Sequence, residues 1–206
     1  MSADLRNCLR DPIPEIFAAA RMLDEAVDAH LAGRGNVAAE LIRRSNIPAI
    51  REWTESLWGS NSPYVSVRPV EPPVPVLEKN DRIPVRMPGR EEKARLHERD
   101  GYHCRFCGIP VIRMEIRRAI RGIYPDELPW GSTNNTQHAA FQAMWVQYDH
   151  LLPHSRGGNN DFDNLIITCA PCNYARMHYT LGEVGLANPL DREPVKSPWD
   201  GLERFR

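Results

Sequence analysis

No stretch of this chain comes near the roughly 18 consecutive apolar residues that a membrane-spanning helix requires. The first residues also lack the basic segment followed by an apolar run that marks a secretory leader. Both absences point to a soluble protein of the cytoplasm with no membrane partner. An excess of charge of one sign is missing too: 26 Lys and Arg stand against 27 Asp and Glu, a formal net charge of −1 with a pI near 6.7. That balance excludes a protein that holds nucleic acid by overall basicity alone. Cysteine is scarce, at five residues in 206, and internal repeats and low-complexity runs are lacking.

The charge that is present is unevenly placed. Residues 1–81 carry 9 basic and 12 acidic side chains, whereas 82–183 carry 13 and 11, so a polyanion is expected in the second half. The cysteines are grouped as well. Cys104 pairs with Cys107 and Cys169 with Cys172, each as Cys-x-x-Cys, and Cys8 stands alone. In a reducing compartment two such pairs suit four thiolates arranged tetrahedrally around a structural Zn²⁺ rather than disulfides.

Length allows one good core or one modest domain with a helical extension. Residues 1–60 read as a helical N-terminal region. Asp11 is placed to cap a helix beginning near Pro12 to Pro14, with Ile16, Phe17, Ala20, Leu23, Val27 and Leu31 at helical spacing until Gly33 and Gly35. Further helices are expected over 36–44 and 48–58. From Pro63 to Pro88 seven prolines favour an extended spacer, which sets a linker at 61–89. The second domain, 90–182, opens on a short charged helix over 90–99 and a turn at Asp100-Gly101, followed by a strand over 109–112. An insertion at about 113–145 holds two expected helices, 114–121 and 136–145. Arg113, Arg117, Arg118 and Arg121 share a face of the first, either solvated or set against phosphates. Residues 183–206 read as an irregular tail, with Trp199 to Phe205 able to fold back on the body.

Three motifs remain: Arg99-Asp-Gly-Tyr-His-Cys-Arg-Phe-Cys-Gly108, Tyr148-Asp-His-Leu-Leu-Pro-His-Ser-Arg-Gly-Gly158, and Asp163-Asn-Leu-Ile-Ile-Thr-Cys-Ala-Pro-Cys-Asn173. Together they resemble the HNH nucleases of the ββα-metal class, over about Arg95 to Arg176. The resemblance implies an α+β fold: a ββα-metal (His-Me finger) core with structural zinc, preceded by the small helical region. A strand should carry Asp149 and His150, a second strand should run through Leu165 to Thr168, and a helix should begin at Asn173.

Phosphodiester hydrolysis needs an activated water and charge neutralisation at the phosphate. His150 is the expected general base, since an imidazole accepts a proton from water near neutral pH. Asp149 faces the other way on the same strand. With Asn173 it forms the expected ligand pair for a catalytic divalent ion, and two oxygen donors suit Mg²⁺ or Mn²⁺. Asn173 stands where some members of the family carry His. Asn164 matches the family's middle asparagine, whose implied role is to hydrogen-bond the loop backbone and so fix the histidine. Arg176, where the family often has Lys, is expected to grip a phosphate, with His154 and Arg156 as further substrate contacts.

The function expected is therefore a metal-dependent HNH endonuclease acting on DNA, with RNA left open, in the manner of a restriction or antiphage effector. A homodimer or a regulatory protein partner would use the N-terminal helices. The competing reading is a non-catalytic zinc-stapled module that binds nucleic acid or protein.

Overall fold

A computed structural model describes residues 5–58, 61–84 and 87–206. The outermost residues of the expected N-terminal region and two positions of the proline-rich segment lie outside that range.

Helices α1 (Pro14–Leu31), α2 (Gly35–Arg44) and α3 (Pro48–Leu57) make up the N-terminal region. Ile16, Ala19, Ala20, Leu23, Ala26 and Val27 recur at intervals of one helical turn, so α1 buries a single stripe, and its alanines let α2 pack closely beside it. Gly33, at a φ of 73°, stops the helix. The cap expected of Asp11 is not made. Ile13 occupies that position with no side-chain bond, and Asp11 instead accepts from Cys8 Sγ and, through its carbonyl, from Trp53 Nε1.

The second half runs α4 (Arg90–Asp100), α5 (Met114–Ile123), α6 (Ala139–Ala143), β1 (Val146–His150), β2 (Leu165–Cys169), α7 (Ala170–Arg176) and α8 (Leu181–Val184). The two strands pair antiparallel, with Val146 opposite Cys169 and His150 opposite Leu165. With α7 starting directly after β2, the chain forms a ββα unit inside an α+β protein. Every residue of β2 is buried, because β1 and α4 and α7 all pack around it.

A strand over 109–112 does not form. Pro110 offers no amide donor, and the flanking groups are used in single bridges, Val111 N to Tyr102 O and Ile112 N to Met144 O. The second insertion helix is short: a 3₁₀ turn at Asn134–Thr136 precedes it, and Trp145 already leads into β1. Half of the arginine face of α5 is consumed internally, while Arg118 and Arg121 remain exposed. Arg113 forms an ion pair with Glu203, and Arg117 is buried with its guanidinium 3.4 Å from the Trp130 ring centroid.

The N-terminal helices are not a detached body. Ile50, Trp53 and Leu57 of α3 are buried against α6 and α7, in one continuous core with Phe141, Met144, Ile166 and Ala175. Burial of this kind is worth about 1.5–3 kcal/mol for each large side chain. The proline-rich segment is attached as well: Leu77 N donates to Ser155 O at 2.8 Å, and Arg156 donates to Val74 O. The tail folds back, with Leu202 and Phe205 buried, Arg204 bonded to Asp24 and Asp28 on α1, and Trp199 Nε1 donating to Val111 O.

Candidate metal centre and nuclease cleft

The cysteine pairs are far apart in sequence and adjacent in space. The Sγ atoms of Cys104, Cys107, Cys169 and Cys172 all lie within 4.8 Å of one another, with Cys107 and Cys169 3.7 Å apart. Thiolates at 2.3 Å from one tetrahedral ion would sit about 3.8 Å apart, so the donor set fits Zn²⁺. Electrostatics agree. Burial opposes the Cys104 thiolate, but hydrogen bonds from Cys107, Cys169 and Cys172 bring it well below the usual thiol range, while burial pushes Cys169 up and bonds to its neighbours push Cys172 up. One thiol is thus driven toward the thiolate while two are held as neutral thiols, and a cation at the centre is what would let the others ionise. Burial pushes the fifth cysteine, Cys8, up to about 12, which keeps it a neutral thiol beside the cluster.

Local folding explains the convergence. The first pair sits on a tight turn in which Gly108 N donates to Cys104 O, with Gly108 at a φ of 78°. The second pair spans the junction of β2 and α7. Asp100 ties the two together: fully buried, it takes Arg99 on both oxygens and accepts from the amide of Ile167 on β2. In the sequence this residue reads only as a turn former.

Asp149, His150 and Asn173 line one cleft of about 800 Å³, bounded by β1, the loop after it, α7 and the proline-rich segment. His150 is buried, and its Nε2 lies 2.9 Å from Asn160 Oδ1. Asn164 pins the intervening loop at three points: its Oδ1 accepts from Leu152 N at 2.8 Å, and its Nδ2 donates to Asn159 O at 2.8 Å and Leu152 O at 3.3 Å. Gly157-Gly158 makes that loop feasible. Gly157 has a φ of 90°, and a Cβ on Gly158 would stand 1.7 Å from Leu152 O.

Asp149 is buried and engaged on both oxygens by Arg176, with Nε 3.1 Å from Oδ2 and Nη2 2.6 Å from Oδ1. A carboxylate has about four acceptor positions, so two remain for other partners. Asn173 donates through Nδ2 to Gln147 Oε1 at 3.5 Å, leaving Oδ1 as its acceptor. A carboxylate and an amide oxygen on one cleft are donors that fit a hard divalent ion.

Of the three side chains expected to meet substrate, only His154 lines this cleft, and its Nε2 is 2.7 Å from Ile83 O. Arg176 is 1% exposed and also bonds the carbonyls of His150, Leu151 and Tyr179. Arg156 is paired with Glu183 and bonded to Val74 O and His178 O. Asn160 is the residue that sequence reasoning missed. It follows the Gly-Gly turn, which is what returns its amide to a histidine ten positions earlier.

Residues 138–178 match the family model described as HNH endonuclease, so an HNH endonuclease domain occupies that part of the chain. The match contains Asp149, His150, Asn164 and Asn173 and the second cysteine pair, while Cys104 and Cys107 lie upstream of it. Comparisons with curated proteins and with solved structures give no match. An HNH domain implies nucleic-acid binding, and HNH nucleases typically use a divalent metal. Among the described residues no helix is long and apolar enough to cross a membrane.

Proposed function

We propose that this protein is a metal-dependent endonuclease that hydrolyses DNA phosphodiester bonds in the cleft lined by Asp149, His150 and Asn173. The observation that carries the reading is the meeting of these three groups in one cleft, within the segment that matches the HNH family. His150 takes a proton from the attacking water as the new P–O bond forms. Asn160 holds the imidazole from one side, and Asn164 fixes the loop behind it. Asp149 and Asn173 supply oxygen ligands for Mg²⁺ or Mn²⁺. Such an ion, when bound, neutralises the phosphate and stabilises the departing oxygen. The zinc cluster lies at the far end of the hairpin and serves the fold.

The test is a plasmid-cleavage assay across a panel of divalent metals, comparing wild type with His150→Ala. Metal-dependent nicking or cutting that His150→Ala reduces at least a hundredfold supports the assignment, since general-base catalysis typically contributes about 10²–10⁴-fold. Undiminished cleavage by His150→Ala would remove that residue from the chemistry.

One observation favours a second reading, a zinc-stapled binding module without turnover: Arg176 already neutralises the carboxylate that would hold the ion. Binding of DNA with no cleavage under any metal would select it.

A further inference from the structure

We propose that Lys79 and Arg82, on the proline-rich segment outside the zinc-stapled unit, form the phosphate-gripping wall of the cleft. This rests on the nucleic-acid reading above and names the residues that hold the polyanion. Both side chains line the same cleft as Asp149, His150 and Asn173.

Four other basic residues are used elsewhere and do not line this cleft. Arg156 and Arg176 are held in internal bonds, Arg113 is paired with Glu203, and Arg117 is stacked under Trp130. Lys79, in contrast, is exposed and forms no ion pair among the described residues. Arg82 places Nε and Nη2 on Leu77 O, at 3.0 and 2.9 Å, and Nη1 bonds nothing among the described residues. Glu78 precedes Lys79 and Asp81 precedes Arg82 in sequence, but neither lines the cleft, and the one carboxylate that does, Asp149, is already neutralised. The cleft therefore presents net positive charge to an incoming strand.

The segment is also held in place, which a phosphate clamp requires. Leu77 N bonds Ser155 O, Arg156 bonds Val74 O, and His154 Nε2 bonds Ile83 O, so three contacts tie residues 74–83 to the loop that follows the catalytic strand. Pro75 within this stretch and Pro84 directly after it limit the entropy lost on holding it extended. Lys79 sits in a one-turn 3₁₀ segment between those anchors, so its backbone is set by the fold rather than by a long flexible loop.

The experiment measures binding of a fluorescein-labelled DNA duplex, its single strand and the matching RNA strand by anisotropy over a range of salt, in the His150→Ala background. Lys79→Ala and Arg82→Ala should each weaken duplex binding about tenfold at moderate salt. Each should also lower the slope of log affinity against log salt by about 0.9, the value for one lost duplex phosphate contact. Lys79→Arg should restore both, and in the cleaving protein the loss should fall on KM and leave kcat nearly unchanged. Unaltered affinity and slope in both variants, beside a cleaving wild type, would overturn the clamp and leave the nuclease reading standing. A lowered slope beside a wild type that never cleaves would keep the clamp and dismiss the nuclease. Cleavage that rises in Lys79→Ala would make the segment a lid and overturn the proposal, as would a wild type that binds none of the three strands.

Discussion

Arg176 grips Asp149 through two parallel bonds at 3.1 and 2.6 Å, with the guanidinium 1% and the carboxylate 8% exposed. The same guanidinium bonds three backbone carbonyls, of His150, Leu151 and Tyr179, so one side chain joins the end of β1 to the turn after α7. Removing it leaves a buried anion and three carbonyls without partners. Arg176→Ala should lose about 3–5 kcal/mol of stability, the usual cost of breaking a buried pair. Arg176→Lys should recover only part, since an ammonium group cannot match the planar two-point geometry. Urea unfolding with zinc content held equal measures this, and a loss under 1 kcal/mol would show that the pair is not structural.

Asn160 stands 2.9 Å from the imidazole of His150 and touches it at Nε2. A residue that only orients the base should affect turnover more than binding. Asn160→Ala should lower kcat about 10–100-fold, the range seen when an orienting partner is lost, with KM nearly unchanged. Asn160→Asp puts a negative charge at the same atom and favours the protonated imidazole, so the acidic limb of the pH–rate profile should move to higher pH. An unmoved limb in the Asp variant would separate Asn160 from the base.

These residues also mark the limit of what the sequence discloses. The three N-terminal helices are legible because their periodicity is local, and α2 and α3 end within a residue of where the pattern places them, whereas the ββα unit is legible only through the resemblance of its motifs to the HNH nucleases. Side-chain pairing over long separations is not legible. Arg176 reads as a phosphate ligand because its position in the motif is visible and the burial that commits it to Asp149 is not. The proline count from 63 to 88 gives no hint that Lys79, Arg82, Ile83 and Pro84 line the cleft. Asp100 likewise requires β2 to be in place before its role can be read.

Gly158 tests the loop independently of charge. A methyl group there would stand 1.7 Å from Leu152 O and 3.0 Å from Asn164 Nδ2, so the backbone that Asn164 pins must move. Gly158→Ala should abolish cleavage at least a hundredfold while the protein keeps its zinc and most of its melting temperature, because the strain falls on a surface loop. Full activity in that variant would mean that the Asn164 bonds do not set the position of His150.

Zinc removal should act on the fold before the chemistry. The cluster joins the Gly108 turn to the start of α7, and without a cation nothing links the two cysteine pairs across that junction. Chelation, or Cys169→Ser, should loosen β2 and α7 and lower the midpoint of unfolding sharply. The three N-terminal helices share that core, so they should lose protection in the same transition. Hydrogen exchange that shows α1 to α3 intact in the zinc-free protein would contradict a single cooperative core.

His138 supplies a pH dependence whose sign is fixed. Burial pushes its pKa down from the ordinary 6.5 to about 4, against a smaller opposing effect of the bond from Nε2 to Ile42 O at 2.9 Å. Nδ1 is buried with no partner, as befits a neutral ring protonated on Nε2. The unfolded chain takes up a proton as pH falls through 6.5, and the folded one refuses it until about 4. Stability is therefore full above pH 6.5 and falls through that window, by up to about 3 kcal/mol. His138→Gln keeps an amide donor for Ile42 O and cannot titrate. Its unfolding free energy should vary less between pH 6.5 and 4 than that of wild type, once zinc occupancy is matched. Parallel curves for the two proteins would show that the folded ring titrates like the unfolded one, and would remove burial of His138 as a source of pH dependence.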